Sequence, residues 1–178
     1  IFITEKPYKL KQADKVILPG VGDFSACKNQ LIKIEGMVEA INDFVFKKKL
    51  PFLGICIGMQ LMANKSFERL ETSGLGYFDS EVKKIPYKNA SYKVPHMGWN
   101  NIKLVNNSYK KSFSSMLKGD FYFVHSYEMK CNNKQDILAT VNYGKEIVAA
   151  VCKENIIGVQ FHPEKSQEQG HKMINDFL

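Results

Sequence analysis

The sequence predicts an α/β fold, with a central, mostly parallel sheet flanked by helices and an added antiparallel ribbon. Three observations predict it. Between residues 15 and 65, short β-branched runs alternate with helix-spaced apolar residues, and a strand–helix–strand–helix order implies parallel pairing. After about residue 74 the texture changes to closely spaced strand-like runs separated by Gly, Asn and Asp. The 178 residues, 44% of them hydrophobic, suit one globular domain over 1–178 with a sizeable core.

The elements follow in order. The chain opens without Met inside an apolar, strand-like "IFIT" (1–4), and so reads as the remainder of a longer chain. "KVILPG" (15–20) is a β-branched run closed by Pro-Gly, a buried strand. Residues 23–33 and 36–48 carry helical spacing, as in Met37, Ile41, Phe44 and Val45. "LPFLGI" (50–55) is a second buried strand, and "IGMQLMANK" (57–65) a helix after it. "GLGYFDSEVKKI", "YKVPHMGWNNIKLV", "DFYFVHSYEMK", "DILATVNYG" and "EIVAAVCKENIIGVQF" read as antiparallel strands returning to the sheet, and a helix closes the chain near 166–177. No repeat, low-complexity segment or linker interrupts them.

Composition narrows the function classes. No apolar run approaches the roughly 20 residues that span a bilayer, and "IFITEKPYKLKQ" turns polar too soon for a signal peptide. Cys27, Cys56, Cys131 and Cys152 form no C-x-x-C pair, which argues against zinc and against a disulfide framework and favours a reducing cytoplasm. The formal net charge of +7 raises nucleic-acid binding, yet Arg69 is the only arginine and the lysines are scattered. A solvated, lysine-rich surface is the preferred reading, with no nucleic acid, membrane, metal or cofactor expected.

Chemistry centres on "PFLGICIGMQ" (51–60). A strand ending in G-x-C-x-G and entering a helix is the nucleophile-elbow pattern with cysteine for serine. The chain reverses at Cys56, so Gly54 and Gly58 approach where side chains would clash. A helix starting at Ile57 aims its N–H groups and positive dipole end at the sulfur, favouring thiolate, and Ile57 N–H is placed to serve an oxyanion. From these residues alone, a nucleophile elbow and a buried cysteine in a glycine-rich turn stand as equal alternatives. In "GVQFHPEKS" (158–166), His162 and Glu164 share one side of an extended chain that Pro163 keeps from turning helical. Glu164 then holds His162 Nδ1–H and leaves Nε2 to take the thiol proton. In "LPGVGDF" (18–24), a glycine-rich loop after a strand is suited to aim N–H groups at an anion, although alone it reads as a strand-to-helix turn.

Taken together, "LPGVG", "GICIGMQ", "KVPHMGWN", "YFVHSY" and "GVQFHPEKS" resemble class I (triad) glutamine amidotransferases, and more narrowly the glutaminase subunits of imidazole glycerol phosphate synthases. The likeness covers essentially the whole chain. It implies glutamine hydrolysis through Cys56, His162 and Glu164, with an oxyanion hole at Gly20, Val21, Gly22 and Ile57. Gly54, Gly58, Gln60, Glu68, Ser126 and Tyr127 match glutamine-binding positions. Met97, Trp99, Asn100, Tyr122 and Lys165 match positions facing a (β/α)8-barrel synthase partner, a heterodimer through which ammonia passes. Two departures stand out: a family-typical first strand and helix do not precede residue 1, and "SFERLETSGLGYFDSEVKKIPYKNASY" is locally unusual. Some relatives serve surface-glycan amidation instead of histidine synthesis, and these motifs do not separate the two. An α/β cysteine hydrolase is a weaker alternative, because its acid lies well before the histidine. A non-catalytic binding domain need not keep all three triad residues.

Overall fold

The computed structural model describes residues 1–86, 92–105, 113 and 115–178. Its strands are β1 (Val16–Leu18), β2 (Phe52–Ile55), β3 (Ala63–Ser66), β4 (Thr72–Ser73), β5 (Phe78–Lys84) and β6 (His96–Leu104), then β7 (Asp120–His125), β8 (Tyr127–Cys131), β9 (Ile137–Asn142), β10 (Glu146–Lys153) and β11 (Ile156–Val159). The helices are α1 (Phe24–Lys33), α2 (Met37–Asn42), α3 (Ile57–Gln60) and α4 (Gln167–Phe177); α2 runs on as a π-turn over Asp43–Lys47.

A seven-stranded sheet has the order β1-β2-β11-β10-β9-β6-β7. Its parallel part is β1-β2-β11, with Leu18 and Gly158 both in register with Gly54. The four further strands extend it antiparallel, so the ribbon contributes more strands than the parallel part. Strands β2 and β11 are buried at every residue, as parallel strands covered on both faces must be. Strand β7 alternates, with Phe121, Phe123 and His125 inward. A second sheet has the order β4-β3-β5-β8.

Three expectations are corrected. The helix expected over 57–65 stops at Gln60, and residues 63–66 are strand β3. The carbonyls of Leu61, Met62 and Ala63 accept N–H groups from Leu75, Tyr77, Phe78 and Gly76, which draws the chain out of helical register. "IFIT" forms no strand; Ile1 and Ile3 are exposed, and no described strand pairs with them. "DFYFVHSYEMK" is two strands, because the chain leaves the larger sheet after His125 and enters the smaller one at Tyr127. Ser126 is the point of transfer. The "YKNASY" part of the unusual segment lies mostly outside the described residues.

Candidate active site

Strand β2 delivers Cys56 at an abrupt corner, with φ 53° and ψ −109°, a conformation that a non-glycine residue adopts only when its surroundings impose it. Cys56 N–H donates to Val159 O at 2.8 Å, tying the corner to β11. The glycines make the corner possible. A Cβ on Gly58 would lie 1.9 Å from Leu18 O, and one on Gly54 2.7 Å from the Gly58 backbone. Both therefore shape the corner that carries the nucleophile, and neither is among the residues lining the cavity in front of it.

The expected thiolate is also corrected. Burial pushes the Cys56 thiol up to about 11, and the Ile57 N–H and the Lys165 ammonium only partly offset it. A helix of four residues brings too little of its dipole to outweigh desolvation. Ile57 N–H is engaged besides, donating to Gly20 O at 3.3 Å. The glycine loop thus turns a carbonyl toward the donor expected to serve an oxyanion.

His162 follows β11 and is almost fully buried. Its N–H donates to Tyr122 O at 2.9 Å, while its carbonyl accepts from Ser166 Oγ at 2.6 Å. Nδ1 lies 2.6 Å from Glu164 Oε1. The two meet differently from expectation: His162 is extended, but Pro163–Lys165 forms a 3-10 turn that brings Glu164 back beneath the ring. Glu164 itself is half-exposed.

A cavity of about 350 Å³ brings together Cys56, Ile57, Val21, Gly22 and His162 with Gln60, Glu68, Ser126, Tyr127 and Lys165. Glu68 Oε2 accepts from Phe24 N–H at 2.9 Å at the start of α1; burial raises its carboxyl, against the lowering effect of that N–H. Among expected partner-facing residues, Met97, Trp99 and Tyr122 share the outward face of the β6–β7 ribbon. Trp99 pairs with Tyr122 edge to face at 6.0 Å. Asn100 has the opposite parity and turns inward, donating to Asn142 O at 3.0 Å and reaching His96 Nε2 at 3.4 Å.

Sequence reasoning missed Gln160 and His125. Gln160 is fully buried, and its Nε2 lies 3.8 Å from Cys56 Sγ. His125 lines the cavity, and its Nδ1 reaches Tyr127 O at 2.8 Å, while Nε2 meets His96 Nδ1 at 3.0 Å. The available signal was a polar residue inside an apolar strand run, "IIGVQF" and "FYFVH". Among the described residues no group of His, Cys, Asp and Glu is arranged to hold a metal, and no helix is long and apolar enough to cross a membrane.

A family model described as "Glutamine amidotransferase class-I" matches residues 2–178. The imidazole glycerol phosphate synthase subunit HisH of Pelagibacter ubique is 46% identical over 179 residues, covering 100% of this chain and 85% of the relative. The subunit of the same name from Brucella suis is 44% identical, covering 100% of this chain and 83% of its own. Among solved structures, one titled "Crystal structure of glutamine amidotransferase" aligns with a TM-score of 0.71 at 16% identity, covering 98% of this chain and 84% of that one. A putative GMP synthase subunit from Thermoplasma acidophilum aligns at 0.63 and 19% identity over 97% and 74% of the two chains. These two likenesses speak for the fold, and the sequence relatives narrow it. The chain belongs to the class I glutamine amidotransferase family, among its imidazole glycerol phosphate synthase HisH subunits.

Proposed function

We propose that this chain is the glutaminase subunit of an imidazole glycerol phosphate synthase in histidine biosynthesis, a single cytoplasmic domain that hydrolyses glutamine and passes ammonia to a (β/α)8-barrel partner in a heterodimer. One observation carries the chemistry: a cysteine held at a positive-φ corner faces the same cavity as a buried histidine whose Nδ1 is bonded to a carboxylate.

Burial keeps the Cys56 thiol protonated at neutral pH, so proton removal accompanies attack. Glu164 fixes the proton on His162 Nδ1, and Nε2 takes the thiol proton as sulfur bonds to the substrate's side-chain carbonyl carbon. The C–N bond then breaks, and the leaving nitrogen takes that proton from His162 and departs as ammonia. A water, deprotonated by His162, adds to the γ-glutamyl thioester; the C–S bond breaks, glutamate leaves, and the proton returns to sulfur. Gln60, Glu68, Ser126 and Tyr127 hold the substrate.

The oxyanion needs donors, and Ile57 N–H is directed at Gly20 O. The resting chain is therefore slow, and turning the Gly20-Val21-Gly22 loop restores the hole. A partner seated on Met97, Trp99, Tyr122 and Lys165 supplies that bias if it binds the turned loop better. The test is glutamine hydrolysis by the chain alone and with the barrel subunit plus its ligand. Slow turnover alone and a rise of roughly a hundredfold in the complex, the worth of one oxyanion donor, is the expected result. Maximal turnover by the isolated chain would sink the partner-gated reading in favour of a free-standing hydrolase.

A further inference from the structure

We propose that Gln160 is a positioning residue of the glutamine pocket: it fixes the side-chain amide of Gln60 so that Gln60 Oε1 is left to accept an N–H of the substrate, and it presents its own N–H to the Cys56 sulfur. This rests on the glutaminase reading.

The hydrogen-bond chain determines both amide orientations. Gln60 Nε2 donates to Tyr127 O at 3.1 Å and to Gln160 Oε1 at 2.9 Å, so both of its hydrogens are used. A flip of Gln60 would set its oxygen against Tyr127 O, which is an acceptor only. Tyr127 O is itself held by His125 Nδ1. With Gln60 fixed, Gln160 must turn its oxygen to Gln60 and its Nε2 to Cys56 Sγ. Gln60 Oε1 is buried and has no hydrogen-bond partner among the described residues. A buried acceptor without a donor is costly, and Gln60 lines the cavity that receives the substrate. A bound N–H satisfies the oxygen. A glutamine at 160 thus selects which end of Gln60 the substrate meets and gives the developing thiolate a donor from the side opposite the solvent.

Three measurements test this. In the complex with the synthase partner, Gln160→Met removes the acceptor for Gln60 and should raise KM for glutamine by about tenfold or more, the cost of a lost buried hydrogen bond. Gln160→Glu keeps an oxygen for Gln60 in either protonation state and should return KM to within about threefold of wild type, a rescue that volume alone would not give. In the wild-type chain, thiomethylation of Cys56 should shift the Gln160 side-chain amide resonances, because the S–H is replaced by S–S–CH3, which adds bulk at the sulfur and changes its acceptor strength; this needs neither substitution nor turnover. Unchanged KM in Gln160→Met, no restoration in a folded Gln160→Glu, or an unmoved Gln160 amide would each overturn the inference. Absent glutamine hydrolysis by the wild-type complex would instead overturn the glutaminase reading, and the resonance measurement would still decide the contact to Cys56.

Discussion

Replacing Gly58 by alanine probes the corner that holds the nucleophile. The added Cβ would stand 1.9 Å from Leu18 O, a backbone atom of β1, where about 3 Å is the closest tolerable approach. Helix α3 and β1 must therefore separate by about 1 Å. Cys56 lies two residues before Gly58 and moves with it, and a misplacement of about 1 Å at a reacting atom costs on the order of a hundredfold in rate. Forced overpacking also costs about 1–3 kcal/mol, or a fall in Tm of roughly 2–12 °C for a chain of this size. Steady-state glutaminase assays on the partner complex and a thermal melt read the two effects together. A Gly58→Ala variant with kcat/KM within threefold of wild type and an unchanged melt would refute the steric account of the elbow.

Four further outcomes are expected. Cys56→Ala abolishes glutamine turnover, whereas Cys27→Ser, Cys131→Ser and Cys152→Ser alter it only in proportion to the folded fraction; a fixed-time ammonia assay distinguishes them. His162→Ala loses nearly as much activity as the nucleophile variant, while Glu164→Gln keeps more, because Glu164 acts through the imidazole; equal activity of His162→Ala and wild type would remove the base. Gly22, at φ 106°, occupies backbone space closed to a β-branched residue, so Gly22→Val should flatten the response to partner ligand in kinetic assays without weakening complex formation by titration. Burial lowers His96 to about 4 and His125 to about 3, below the ordinary value of 6.5. The unfolded chain then binds the protons that the folded one refuses. Stability is full above about pH 6.5 and falls as pH drops toward 4, the two histidines titrating as one pair because His96 Nδ1 and His125 Nε2 lie 3.0 Å apart; urea midpoints measure the fall.

Much of the site was legible because its constraints are local. In G-x-C-x-G, a Cβ on Gly54 would strike the Gly58 backbone, a demand internal to the motif, while the demand on Gly58 comes from Leu18 O in β1. His162-Pro163-Glu164 keeps base and carboxylate two residues apart, close enough to meet through a 3-10 turn where an extended segment was expected. What escaped depends on distant partners. Residues 61–63 are apolar and buried whether helical or extended, and only the N–H groups of residues 74–78 decide the matter. "FVHSYE" keeps strand texture through Ser126, so nothing local marks the passage between sheets. The helix-dipole argument for Cys56 failed for the same reason: desolvation is set by the whole cavity wall, while the dipole is read from one short segment. Gln160 was overlooked because its meaning lies in Gln60 and Tyr127, far away in sequence.

The transfer of the chain at Ser126 divides the labour of the pocket between two sheets. Cys56, His162 and Glu164 are carried by the larger sheet and its flanks, whereas Tyr127 begins β8 in the smaller one. A fluctuation that loosens the smaller sheet alone would withdraw the wall that grips Gln60 and leave the reacting groups in place. Amide exchange along β5 and β8 would then track substrate affinity, and warming would raise KM well before it lowers the intrinsic reactivity of the thiol.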